Sequence, residues 1–507
     1  MTQGLVAELT GGRALARSAL WNIVGQGAPL IAALITIPVV LRGLGTERFG
    51  ALSLAWLLIG YFSVFDLGLG RALTMLVAEK LAARREEEIP ALTWTALLLM
   101  LGLGVAGALL IAWPSDWLLS RALNVSPSLR DEMRMALRVL AACLPFVITT
   151  AGLRGLLEAR QMFAAVNAVR IPMGVLTFAG PTLVLPFSRS LVPVVAVLAL
   201  VRLATWAVHV ALCLHAFPGL RGGPRPRAAL LAPLLRLGGW MTVTNVVGPL
   251  MVYLDRFLIA GLVTLSAVAY YATPYEIVTK LLLVPTAVAQ VLFPAFSASI
   301  VADRPRTALL FDRGLKSVFL VLFPATLVLV TLAPELLRLW LGREFAIESS
   351  GVLRWLAVGV FINGLAQVPF ALVQGVGRPD YTAGLHLLEL PFYLVAVWWL
   401  IHARGVEGAA IAWTARAGVD AVVLLGAAGR MVVPLPSARW RLAAIATALA
   451  ICGLGALVDD PLAKGLFLTL ALAAFVALAW TLVLTAEERH LAWRHLAPAA
   501  LLPRARP

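Results

Sequence analysis

Charge is scarce in this chain of 507 residues: 13% of the side chains are charged against 61% hydrophobic. With a mean hydropathy of +0.92, such a chain could not be held in water as a globular protein, so its solvent is lipid. No Walker A sequence occurs, which excludes an ATP engine of its own. Paired metal-binding histidines are also missing, since His209, His215, His386 and His402 are scattered over different apolar segments or their ends. The three cysteines, Cys143, Cys213 and Cys452, lie in apolar runs without metal-ligand spacing and read as packing residues. Long polar stretches are absent too, and the longest segments on the outward side, near 114–136 and 335–351, are too short for a folded domain. Neither an enzyme nor a resident cofactor or metal is expected.

What the chain does have is apolar runs of about 18 residues or more along its whole length, each long enough to cross a bilayer. They fall near 18–41, 50–68, 91–113, 137–157, 165–186 and 190–214, then 239–262, 270–297, 316–334, 352–373, 381–401 and 409–428. Two more follow near 440–457 and 464–485. The expectation is an all-α polytopic membrane protein with about 14 transmembrane helices. The formal charge of +15 sits in short loops, where it reads as topology and not as a nucleic-acid footprint. Arg71, Lys80, Arg84, Arg85, Arg221, Arg225 and Arg227 share the side of the N-terminus, whereas Arg121, Arg130, Arg134 and Arg338 lie opposite in a smaller set. Both termini are therefore expected in the cytoplasm. Arg13 and Arg17 precede the first run as they would a signal peptide, but its length and the lack of an A-x-A-like site make it a retained span.

Two sets of six spans look related. Trp21 begins the first run and Trp240 the seventh, Gly43-Leu44 closes one and Gly261-Leu262 the other, and Pro172 faces Pro391 at nearly the same offset. A parallel repeat of two six-helix bundles, 1–216 and 237–430, follows, related by a pseudo-two-fold axis. They are joined by a linker at 217–236 and followed at 431–507 by two extra spans and a tail. Arg221-Gly222-Gly223-Pro224-Arg225-Pro226-Arg227 in the linker cannot continue a helix.

Ionisable residues inside apolar runs cost about 2.5–3.5 kcal/mol each at mid-span, so they must face an interior. The candidates are Asp66, Arg154, Arg202, Asp255, Arg256, Glu276, Lys280, Glu389, Arg416 and Asp420. Glu276 and Lys280 stand one turn apart and predict a local ion pair. Asp255 and Arg256 are neighbours about 100° apart on a helix and are not expected to satisfy each other. Gly102-Leu103-Gly104-Val105-Ala106-Gly107 fits a dinucleotide fingerprint only in letters; inside a span it predicts close helix packing. Pro274, Pro285 and Pro294 predict a bent eighth span.

Leu44-Gly45-Thr46-Glu47-Arg48-Phe49-Gly50, Phe65-Asp66-Leu67-Gly68-Leu69-Gly70 and Gly155-Leu156-Leu157-Glu158-Ala159 carry a family resemblance. So do Tyr253-Leu254-Asp255-Arg256-Phe257 and Phe293-Pro294-Ala295 in the second half. In this order they resemble the polysaccharide flippase branch of the multidrug/oligosaccharidyl-lipid/polysaccharide exporter superfamily. The resemblance implies two helical bundles around a cavity. It also implies transport of undecaprenyl-diphosphate-linked oligosaccharide across the bacterial cytoplasmic membrane for O-antigen, capsule or exopolysaccharide synthesis. Membrane lipid and a polysaccharide polymerase are the further partners it suggests. A diphosphate calls for a cationic cavity, because guanidinium binds it through paired hydrogen bonds. Arg256 leads the candidates, with Arg154 and Lys280 as further cations, Glu276 as the partner of Lys280, and Asp66 and Asp255 orienting arginines. A flippase for the peptidoglycan precursor remains an alternative. A multidrug cation antiporter would need acids that the first span lacks, and a membrane-embedded glycan polymerase or ligase would need a large outward loop.

Overall fold

The computed structural model describes residues 12–62, 68–431, 438–484 and 489, and among them there is no β-strand. The helices in chain order are α1 (Gly12–Leu44), α2 (Thr46–Phe62), α3 (Leu69–Ala82), α4 (Ile89–Ala112), α5 (Arg130–Ala159), α6 (Phe163–Val184) and α7 (Leu191–Ala216). After the linker come α8 (Leu231–Leu262), α9 (Leu265–Val278), α10 (Leu283–Ala302), α11 (Arg304–Thr331), α12 (Ala333–Trp340), α13 (Arg343–Gly375) and α14 (Pro379–Met431). The chain closes with α15 (Ala438–Leu457) and α16 (Pro461–Leu478). Among the described residues, 10 helices are long and apolar enough to cross a membrane. Several overrun their apolar runs because polar first turns, such as Arg130-Asp131-Glu132 of α5, extend beyond the bilayer core.

The linker leaves helical geometry as its prolines and glycines require. Two short 3₁₀ turns, Pro218–Gly222 and Ala228–Leu230, flank Gly223, whose φ is +83°. The eighth span is interrupted as well: α9 and α10 are separated by a 3₁₀ stretch at Thr279–Leu282. Pro285 explains its position, having no N–H for the carbonyl four residues back and a ring that crowds it.

Contact density divides the chain into residues 1–273 with 386–409, and residues 274–385 with 410–507. In the first part α5 is the central helix, packed on α3, α4 and α7, while α1 packs on α6. The glycines of the 102–107 run serve that packing. A Cβ on Gly104 would lie 2.4 Å from Pro145 Cα, and one on Gly107 would lie 2.7 Å from Leu144. In the second part α13 is central, packed on α10, α11 and α12. Its core joins Ala366 and Val373 of α13 to Ala421, Leu424 and Ala427 of α14. The C-terminal helix docks through Phe475, 5.0 Å from Phe323 of α11, and through Lys464, whose Nζ is 2.7 Å from Glu335 of α12.

The element order repeats. Helices α3, α4 and α5 pack on one another as α10, α11 and α13 do, with a short helical piece before α5 and before α13. α4 begins at 89 and α11 at 304, α5 at 130 and α13 at 343, a shared offset of roughly 215 positions. A packing detail repeats with them. Gly155 of α5 admits the Gly70 carbonyl of α3, 2.8 Å from a would-be Cβ, and Gly375 of α13 admits the Phe293 carbonyl of α10 at 3.1 Å.

Helix α14 runs for 53 residues, a length of about 80 Å if straight, more than twice the hydrocarbon core. It is not straight. Arg404 (φ −137°) and Gly405 (φ +57°, ψ −137°) leave helical geometry. The returning chain closes so tightly that a Cβ on Gly408 would lie 2.0 Å from the Leu400 carbonyl.

Candidate functional site

Asp255 and Arg256 near the end of α8 are both buried, at 0% and 2% exposure. Although neighbours diverge on a helix, the two are in contact, and Asp255 finds a second partner besides. The short Asp255 side chain folds back, so that Oδ1 accepts the Arg256 backbone N–H at 2.7 Å and lies 3.7 Å from Arg256 Nη1. Its Oδ2 accepts from the Tyr271 hydroxyl of α9 at 2.5 Å. The guanidinium carbon sits 5.6 Å from the Tyr253 ring centre and 5.7 Å from that of Tyr271, within reach of a cation–π interaction with each. Two tyrosine rings and one carboxylate thus lie against the guanidinium, which is almost fully buried.

Glu276 and Lys280 form the ion pair their spacing predicts, at 3.4 Å, both side chains about two-fifths exposed. Arg154 is more open, 52% exposed, with Glu158 3.5 Å away on the next turn of α5. Asp66 lies outside the described residues. Glu389 and Asp420 are buried on α14. His209 and His402 each place Nδ1 2.8 Å from the carbonyl four residues back, and Cys213 Sγ donates to the Leu153 carbonyl at 3.3 Å. These contacts fit the packing roles read from the sequence.

Arg202 in the middle of α7 stands apart. Its Nη1 donates to the Met173 thioether of α6 at 3.3 Å, and no carboxylate among the described residues pairs with it. The sequence held one sign of this isolation: the whole of Leu191–Ala216 contains no acid.

A further cluster gives the 44–50 motif its structural purpose. At the junction of α1 and α2, Arg48 reaches Glu132 of α5 through two hydrogen bonds of 2.8 and 3.1 Å, a bidentate pair. Glu132 also accepts the Leu191 N–H that opens α7, at 2.9 Å. Glu47 accepts the Ser126 N–H at 3.2 Å. Arginine–carboxylate pairing holds the Arg48 guanidinium above its ordinary value. Sequence reasoning singled out this segment without assigning Asn124, which donates from its backbone N–H to the Ala260 carbonyl at 2.9 Å and from Nδ2 to the Val263 carbonyl at 2.7 Å.

The comparison with known families agrees with the resemblance that these motifs carry. The family model for polysaccharide biosynthesis proteins matches residues 15–300, more than half of the chain. The chain belongs to that family. A Shigella flexneri protein whose name marks it as a candidate O-antigen transporter is 29% identical over 409 residues, covering 80% of this chain and 96% of that protein. Among solved structures, the inward-facing form of a multidrug resistance MATE family transporter of the MOP superfamily is similar, with a TM-score of 0.67 and 16% identity. That match covers 84% of this chain and 99% of the other. An outward-facing form of such a transporter matches with a TM-score of 0.57 and 18% identity over 85% and 96% of the two chains. The fold is therefore that of MATE-like transporters, and the relatives are transporters, not enzymes.

Proposed function

We propose that this member of the polysaccharide biosynthesis family flips an undecaprenyl-diphosphate-linked oligosaccharide across the bacterial cytoplasmic membrane by alternating access, for O-antigen, capsule or exopolysaccharide synthesis. In this reading both termini are cytoplasmic. The fourteen spans are the 10 long apolar helices, with α14 counted as two at Gly405, together with α2, α8 and α15. Bundles 1–216 and 237–430 form the repeat. A polymerase would receive the flipped glycan.

The observation that carries the reading is Arg202. A guanidinium at the middle of an apolar helix is expensive unless an anion or water meets it, and a thioether is only a weak acceptor. A lipid diphosphate meets that need, because its oxygens match the guanidinium fork. Arg154 and Lys280 offer further, more exposed cations, each shared with a neighbouring glutamate. Asp255 and Arg256 act in this scheme by fixing the end of α8 against α9, and Asp66 by orienting an arginine.

Arg202→Gln should reduce surface glycan by about tenfold or more, the order expected when a charge-assisted hydrogen bond is lost. Arg202→Lys should retain part of the export because it keeps the charge and loses the fork. Surface glycan measured beside protein abundance in the membrane checks both. Undiminished export by the glutamine variant would end the assignment.

A further inference from the structure

Arg170 of α6 is exposed, yet it lies on the side of its helix that packs against the first repeat. Beyond the first turn of α6 the other exposed positions are Ala168, Pro172, Leu176 and Leu183. At 100° per residue they fall about 160–240° around the axis from Arg170 and form the stripe that faces lipid. Within about 60° of Arg170 lie the buried Val166 and Pro181. Gly174, whose Cβ would lie 2.6 Å from Pro29 of α1, shares that side, as does Met173, which meets Arg202 of α7. The opening at Arg170 is therefore an interior one, about 10 Å along α6 from Phe163. No carboxylate is at hand for it: α6 and α7 contain no acid, and the sequence holds none between Glu158 and Asp255. Arg202 approaches the same turn of α6 from the neighbouring helix, with Nη1 3.3 Å from the Met173 thioether. Two guanidinium groups without a carboxylate thus flank one methionine, itself a weak, neutral acceptor that an anion displaces readily.

We infer that Arg170 and Arg202 form one site with a guanidinium for each phosphate of a diphosphate, and that the pair selects a diphosphate lipid over a polyprenyl monophosphate. The inference rests on the flippase reading and adds to it a second residue and a selectivity. A monophosphate occupies one guanidinium fork and leaves the other cation unmet inside the span, where an unmet charge is costly. A diphosphate brings an anion to both. Carrier lipid that bears only one phosphate is thereby refused, and lipid that carries its glycan on a diphosphate is held. With the termini cytoplasmic, Arg170 is the nearer of the two to the cytoplasmic end and meets the headgroup first.

The test uses the full-length protein purified in detergent, with inorganic pyrophosphate and orthophosphate as probes in titration calorimetry. The unsubstituted protein should bind pyrophosphate about tenfold more tightly than orthophosphate or better, and Arg170→Gln and Arg202→Gln should each remove most of that preference, since either variant grasps one phosphate only. Arg170→Lys should keep part of it. Equal affinity of the unsubstituted protein for the two probes, or a full preference in Arg170→Gln, overturns the site. A second arm reads the place directly. With Cys143, Cys213 and Cys452 changed to alanine, Asn167→Cys stands one turn before Arg170 and keeps both arginines. Pyrophosphate should slow its labelling by a maleimide several-fold, and adding Arg170→Gln should abolish that protection; labelling indifferent to pyrophosphate also overturns the site. Surface glycan separates the two readings. Loss of glycan in Arg202→Gln but not in Arg170→Gln would overturn the pairing and leave the flippase reading standing. A pyrophosphate preference that needs both arginines, with undiminished glycan from both variants, would uphold the site and remove that reading.

Discussion

At residue 255 a carboxylate accepts from the next backbone amide and from a tyrosine hydroxyl on the following helix, and lies 3.7 Å from the neighbouring guanidinium. Only part of this was legible. The spacing of Glu276 and Lys280 is enough to predict their pair, since residues one turn apart on a helix meet whatever surrounds them. Neighbours on a helix diverge, so the Asp255–Arg256 contact depends on the carboxylate folding back and on Tyr271, sixteen residues away in another helix. The isolation of Arg202 is tertiary in the same sense. Because the buried guanidinium depends on Asp255, Asp255→Ala should destabilise the protein by about 3–5 kcal/mol, the range for removing one partner of a buried pair. Tyr271→Phe, which removes one hydrogen bond and keeps the ring, should cost about 1 kcal/mol. Thermal melting of the detergent-purified protein reads both. Equal shifts for the two variants would mean that the carboxylate is not the centre of the cluster.

Among the elements, the break between α9 and α10 was anticipated from three prolines, but its place was not. Pro274 and Pro294 both lie inside continuous helix, and only the stretch before Pro285 turns to 3₁₀ geometry. The difference is tertiary. A Cβ on Gly364 of α13 would lie 3.2 Å from the Pro285 ring and 2.3 Å from Leu322 of α11, so the bend is set into a pocket shaped for it. Pro285→Ala restores an N–H and should extend the helix through 279–282, leaving abundance unchanged or raised. If the bend takes part in transport, surface glycan should fall severalfold; full export would assign the bend to packing alone. The family motifs were legible as an ordered set while their purpose was not, because a glycine in an apolar helix does not reveal which carbonyl it will admit. Gly155 against α3 and Gly375 against α10 show what that purpose is.

For the whole molecule, hydropathy was enough to read the helical class and most span positions, since crossing lipid leaves the backbone few alternatives to helix. In the sequence the repeat rests on a few matched residues, beside which stand similar helix starts and similar glycine contacts in α3–α5 and α10–α13. The division by contacts follows a different line, cutting α9 at Thr273 and entering α14 twice. Chain order does not encode such a line, because contact depends on conformation as well as on sequence. Topology is the property most open to direct measurement. Reporter fusions before Arg17 and after Glu487 should both report the cytoplasm, in keeping with the lysine and arginine bias. An external signal at one end alone would require an odd number of spans.

The turn at Arg404–Gly405 has a consequence for how the protein is made. The two apolar arms are joined through a short polar segment, His402, Arg404 and Glu407 around Gly405, with no long loop between them. Glycine at 405 allows the left-handed backbone, and Gly408 lets the returning chain touch Leu400. During synthesis, then, the two arms of α14 should enter the bilayer in close succession, as a hairpin.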